Sequence, residues 1–142
     1  MLIVMAACMF LLLAVIGLCF DLGRIYIARN EAQIFVDAAS LAAAQQIDGT
    51  AAGIDRARGA AKTLRNRWNL GAEEFSGVIL EFSGDGEHWD PEPKDTAAVH
   101  FARVTAPDNH VGIVFVRAVG GPESLTVAAR AVAATNPVRL AE

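Results

Sequence analysis

The chain has 142 residues, one domain's worth with room for a segment outside any soluble core. Hydrophobic residues make up 54% and aromatics only 7%, so alanine and aliphatic side chains must supply most of the packing. The net charge of −4 excludes binding to phosphate through overall basicity, and no nucleic-acid partner is expected.

That average hides strong segregation. Residues 1–20, MLIVMAACMFLLLAVIGLCF, contain no charge, Pro, Asn or Gln. At about 1.5 Å per residue they extend roughly 30 Å, the hydrocarbon thickness of a bilayer. A cleavable signal peptide would need a basic start, a shorter apolar run and a small-residue cleavage site. Nothing basic precedes the run and no clear A-x-A site follows it, so the reading is a retained membrane-spanning helix. The missing basic start points to a Met1 that follows a removed leader, with an in-frame start at Met1 as the alternative. Cys8 and Cys19 lie eleven residues apart, roughly 16 Å along one helix, which is beyond the reach of a disulfide. They read as small hydrophobes.

The helical pattern continues past Phe20. Residues 21–47 contain no proline and keep an apolar stripe through Ile27, Ile34, Ala38, Leu41 and Ala42. Asp48-Gly49-Thr50 supplies a stop. The expectation is one helix within residues 1–48, about 46 residues and roughly 69 Å long. Such a helix must cover something beyond the membrane or pack against copies of itself. Gly17 and Gly23 are the places where it could bend. Ala38, Ala39, Ala42, Ala43 and Ala44 combine high helix propensity with room for close helix approach. Asp21 and Arg24, three apart at the edge of the apolar zone, can pair within one chain or between two.

A second amphipathic helix is expected over about 54–69, with Ile54, Ala57, Ala61, Leu64 and Trp68 on one face and Asn69-Leu70-Gly71 ending it. Its five basic residues, Arg56, Arg58, Lys62, Arg65 and Arg67, read first as a solvated face and second as a lipid-touching one. Beyond Gly71 the period becomes strand-like, with candidates at Gly77–Phe82, Ala97–Thr105, Gly112–Ala118 and Leu125–Ala134. Gly112–Ala118, apolar almost throughout, is expected to be the most buried strand. Short turns at Gly84-Asp85-Gly86, Pro91-Glu92-Pro93, Ala106-Pro107-Asp108-Asn109 and Gly120-Gly121-Pro122 imply an antiparallel sheet. The fold class is α+β: a long N-terminal helix, then a small head over 49–142 with a short second helix and about four antiparallel strands on the helix's C-terminal half.

No catalytic motif has a recognisable spacing, and His88, His100 and His110 stand far apart in the sequence. No catalytic, cofactor or metal residue is assigned, and no enzyme activity is expected. The loop over 84–95 is acidic but lacks the EF-hand pattern. It reads as a solvated hairpin loop anchored by Trp89, with calcium as the lesser alternative. Arg65 and Arg67 are candidates for a charged subunit contact with the loop residues Asp85, Trp89 and Asp90.

Residues 21–44, DLGRIYIARNEAQIFVDAASLAAA, follow D-x-G-R-x-Y-x-x-R and end in D-A-A-x-L-A-A-A. Asp21, Gly23, Arg24, Tyr26, Arg29, Asp37, Ala38, Ala39 and Leu41 through Ala44 fit. Gly86 with Trp89-Asp90, the strand HFARVTAP and the run FVRAVGGPESLTVAARAVA extend the likeness into the head. On these residues the chain resembles the Tad/Flp pilus-assembly TadE/TadG-like family. The resemblance implies a pilin-like protein of the type IV filament superfamily, without cofactor, held in the bacterial inner membrane and then assembled into a cell-surface filament or acting in its assembly. Its implied partners are copies of itself in a helical homopolymer, other pilins, prepilin peptidase and the inner-membrane assembly platform. The expected assembly residues are Met1, Met5, Phe10, Leu13, Gly17, Phe20, Asp21, Arg24, Tyr26, Ile34, Ala38 and Leu41. Met5 departs from the Glu that many type IV pilins carry at that position, so either packing sets the register here or the N-terminal amine is modified or solvated.

Overall fold

The computed structural model describes residues 1–68, 73–118 and 120–135. Helix α1 runs unbroken over Leu2–Ala44, 43 residues and about 65 Å. No residue before Gln45 interrupts its backbone ladder, and neither Gly17 nor Gly23 breaks it. After a turn containing Gly49 at φ 80°, α2 covers Ala51–Thr63. Its N-cap is Thr50, whose hydroxyl accepts from the Gly53 amide at 3.0 Å.

The helix therefore starts earlier and ends sooner than the pattern over 54–69 suggests. Ile54 and Ala57 are buried as expected, but Trp68 belongs to strand β1 (Arg67–Trp68), paired antiparallel with β2 (Glu73–Glu74). Leu64 is already extended, at ψ 149°. The expected stop at Asn69-Leu70-Gly71 lies outside the described residues. Trp68 gains burial in its strand position by stacking on Phe75, which in turn stacks on Phe35 of α1.

The main sheet has three strands in the order β3-β4-β5: Ile79–Ser83, Phe101–Gly112 and Ser124–Ala134, all antiparallel. Two expectations fail here. Pro107-Asp108-Asn109 is not a turn but an irregularity inside one long strand, where the register against β5 shifts between Ala106 and Asn109. Asn109, buried, makes this possible: its side-chain oxygen accepts from the Ser76 amide at 2.9 Å and its amide group donates to the Pro107 carbonyl at 2.9 Å.

Gly112–Ala118, read as the most buried strand, is not a strand beyond Gly112. Phe115–Ala118 forms the short helix α3, none of it fully buried. Its apolar character serves a different surface, described below.

The core is a layer of small residues. Ala28, Ala32, Val36, Ala39 and Phe35 of α1 face Val104, Ala106, Val111, Val127 and Ala129 of the sheet. A second cluster joins Ala43, Ala44 and Ile47 to Ile54, Ala57, Phe82, Val99 and Ala102. Alanine facing alanine lets the sheet approach the helix closely. Ala39, Ala43 and Ala44 are thus consumed by the chain's own head. They are unavailable for packing copies together.

Candidate functional site

Because side chains on a helix repeat by about 100° per residue, the faces of α1 divide cleanly. The head takes Gly17, Asp21, Ala28, Ala32, Phe35, Val36, Ala39 and Ala43, all buried. A neighbouring face carries Leu13, Phe20, Ile27, Ile34 and Leu41, each seven residues from the next. All five are about half exposed or more, with Ile34 at 68%. Ala38 and Tyr26 are exposed beside them. Towards the N-terminus the helix is apolar all round, and Met1, Met5 and Phe10 are exposed like their neighbours.

A bilayer explains exposed apolar residues only over about 20 positions. Ile27, Ile34 and Leu41 lie beyond that length, alongside the folded head. Covering them is worth on the order of 1 kcal/mol apiece for side chains already about half buried. A row of that kind on a protein that must meet water is a candidate contact surface.

An open groove of about 490 Å³ adjoins this row, lined by Glu31, Ile34, Phe35, Ala38, Leu64, Arg65 and Arg67. The structure thus brings Arg65 and Arg67 to the border of the apolar row, although neither lies within a helix. Arg67 pairs with Glu74 across β1–β2 at 3.4 Å.

The other candidates are elsewhere. Trp89 is half-buried under the Arg103 guanidinium, 4.2 Å from the ring centroid, and Arg103 also binds Glu81 at 2.7 Å across β3–β4. Trp89 is an anchor in the sense expected. Asp85 is occupied within its loop: it accepts from the Ser83 hydroxyl, the Glu87 and His88 amides and the His88 ring. These bonds, led by those from His88, hold its carboxyl well below the usual range. Asp90 closes a bridge with Phe82 and caps the Glu92 amide. The acidic loop does meet the basic helix, but inside one chain: Arg58 donates to the Pro91 carbonyl at 2.7 Å and lies 3.8 Å from Glu92.

Asp21 has a role that the sequence did not disclose. It is 1% exposed, and its carboxylate accepts from three successive amides, Val114 at 3.0 Å, Phe115 at 2.8 Å and Val116 at 2.8 Å. A local pair with Arg24 was one expectation, yet both oxygens are spent on the start of α3. Phe115 then lies directly over Gly17 and meets Phe20 edge-on at 5.5 Å. Spacing held one usable signal, since Gly17 and Asp21 are one helical turn apart on the head-facing side.

A recess of about 360 Å³ sits between α1, α2 and β3, lined by Phe35, Ala39, Arg58, Ala61, Lys62, Leu80 and Val104 among others. It offers two cations and apolar walls, with Glu92 at its rim. Among the described residues no group of three His, Cys, Asp or Glu side chains could hold a metal ion.

Residues 1–46 match the family described as "Putative Flp pilus-assembly TadE/G-like". Over this third of the chain the sequence is similar to that family. No curated protein and no solved structure matches the chain. The match covers α1, which carries the apolar row, the Asp21 carboxylate and Gly17, and it ties the chain to Flp pilus assembly. The same helix is long and apolar enough to cross a membrane, which suits membrane association.

Proposed function

We propose that this chain is a structural subunit of a Tad/Flp-type pilus or a related extracellular filament, and that it self-assembles through α1. The observation that carries this reading is the row Phe20, Ile27, Ile34 and Leu41, which leaves the membrane-length segment and continues exposed beside the head. A simple anchor has no use for the last three; a helix that packs among copies of itself does. Lipid and a helix bundle are both apolar, so transfer from one to the other costs little, and close packing selects the register. The seven-residue spacing favours helices that wrap about one another at a shallow angle. Arg65 and Arg67 at the edge of the row would steer a neighbouring chain rather than supply most of the affinity.

In this reading the chain is not an enzyme and needs no cofactor. It resides in the bacterial inner membrane before assembly and at the cell surface afterwards. Its principal partner is a second copy, with other pilins, prepilin peptidase and the assembly platform as further partners. A helix long and apolar enough to cross a membrane also suits a second reading, a minor pseudopilin or membrane-anchored assembly factor that does not itself polymerise.

Negative-stain microscopy of purified material, with subunit stoichiometry, separates the two. The subunit reading expects filaments in which this chain predominates and residues 1–20 lie at the centre. Monodisperse monomers after detergent removal would contradict it, and substoichiometric amounts in another protein's filament would favour the second reading.

A further inference from the structure

The α3 segment sits at an unusual height on α1. Hydrocarbon about 30 Å thick accepts a helix without charged residues, and in α1 the uncharged stretch runs through Phe20, with Asp21 the first charged residue. Phe115 is nonetheless seated on Gly17, a full turn inside that limit, and packs on Phe20. Placing residues 2–20 across the bilayer therefore carries Phe115 into the apolar edge alongside them.

The segment is suited to that place. Val114 and Phe115 are 50% and 44% exposed, and Leu18, Phe20 and Leu22 on the same stretch of α1 are exposed too. Irregular backbone survives near lipid only where its polar groups are satisfied internally. The amides of Val114, Phe115 and Val116 all donate to Asp21, the Ile113 amide donates to the Glu123 carbonyl at 2.9 Å, and the Val116 carbonyl accepts from Gly121 at 2.9 Å. Arg117, pairing with Glu123 at 2.9 Å, marks the aqueous side.

We infer that Ile113–Arg117 is a membrane wedge: an apolar loop, capped by Asp21, that enters the interface of a phospholipid bilayer beside α1 and sets the depth of the head. This rests on residues 2–20 being the span, and is independent of whether the chain polymerises.

The test uses the full chain in phosphatidylcholine–phosphatidylglycerol vesicles, with Cys8 and Cys19 replaced by alanine and one spin label at a time introduced by Leu12→Cys, Val114→Cys or His88→Cys. All three positions are exposed, so labelling leaves the core intact. Collision with oxygen, which partitions into lipid, is compared with collision with a water-soluble nickel chelate. The labels at 12 and 114 are expected to favour oxygen several-fold over the label at 88. In an Asp21→Ala background the label at 114, but not at 12, should move towards the value at 88. A label at 114 that matches 88 while 12 stays in lipid overturns the wedge and leaves the span standing. All three labels in water would overturn both, and an unchanged label at 114 after Asp21→Ala would overturn the capping role of Asp21.

Discussion

Gly17→Ala and Gly23→Ala should have opposite consequences although they are six residues apart on one helix. At Gly23 an added Cβ meets nothing within 4 Å, so the substitution contributes only the helix-propensity difference, about 1 kcal/mol in favour of folding. At Gly17 the added carbon falls 2.7 Å from three atoms of the Phe115 side chain, Cβ, Cγ and Cδ1. Ordinary carbon contacts lie near 3.5–4.0 Å, so an overlap of roughly 1 Å must be relieved. Because Cβ of Phe115 is among the clashing atoms, rotation about χ1 cannot relieve it. The α3 backbone has to move, at about 1–3 kcal/mol for overpacking, which cancels or exceeds the same propensity gain. Thermal unfolding in detergent should place Gly23→Ala above the parent and Gly17→Ala level with it or below. Hydrogen exchange should show the amides of 114–116 losing protection in Gly17→Ala alone. Equal stabilisation by both substitutions, with those amides still protected, would refute the seating of Phe115 on Gly17.

Phe82, 1% exposed between α2 and the sheet, should cost about 3–5 kcal/mol when changed to alanine, read as a lower denaturation midpoint. Thr50→Ala, which removes the α2 N-cap, should cost about 1 kcal/mol in the same assay. The Thr50 hydroxyl and amide, then Arg56, lower the Asp48 pKa from 3.8 to about 2. A depressed folded-state pKa stabilises above the unfolded value, so the Asp48 contribution should be complete by about pH 5 and fade as pH falls from 4 to 2. Asp48→Asn should flatten that part of the stability–pH profile, leaving the part due to Asp85, depressed in the same direction.

The long helix was legible because its evidence is local: twenty apolar residues, then a proline-free run with helical periodicity. Strands β3 and β5 were legible as strand-like runs set between turn residues. Gly112–Ala118 was not. Apolar residues signal burial, but the sequence does not say whether a strand, a helix or a lipid surface does the burying, and the decisive contact is made by Asp21 more than ninety residues earlier. Trp68 misled for a related reason, because its spacing from Ile54 fits a helix while stacking with Phe75 and Phe35 holds it in a strand. Of the alanines read as room for close helix approach, Ala39, Ala43 and Ala44 are covered by the chain's own head, while Ala38 stays exposed. Only the folded head shows that Ala39 and Ala43 are covered while Ile34 and Leu41 are left open.

The exposed row is the claim on which the functional account rests, and cysteine cross-linking tests it most directly. With Cys8 and Cys19 replaced by alanine, Ile34→Cys, Leu41→Cys and, as a distant exposed control, Glu87→Cys are oxidised in membranes from assembling cells. The account predicts disulfide-linked dimers for Cys placed at 34 and 41 and none at 87. Thiols at 34 and 41 that react freely with a maleimide yet never cross-link, or that cross-link no more than the thiol at 87, would contradict it.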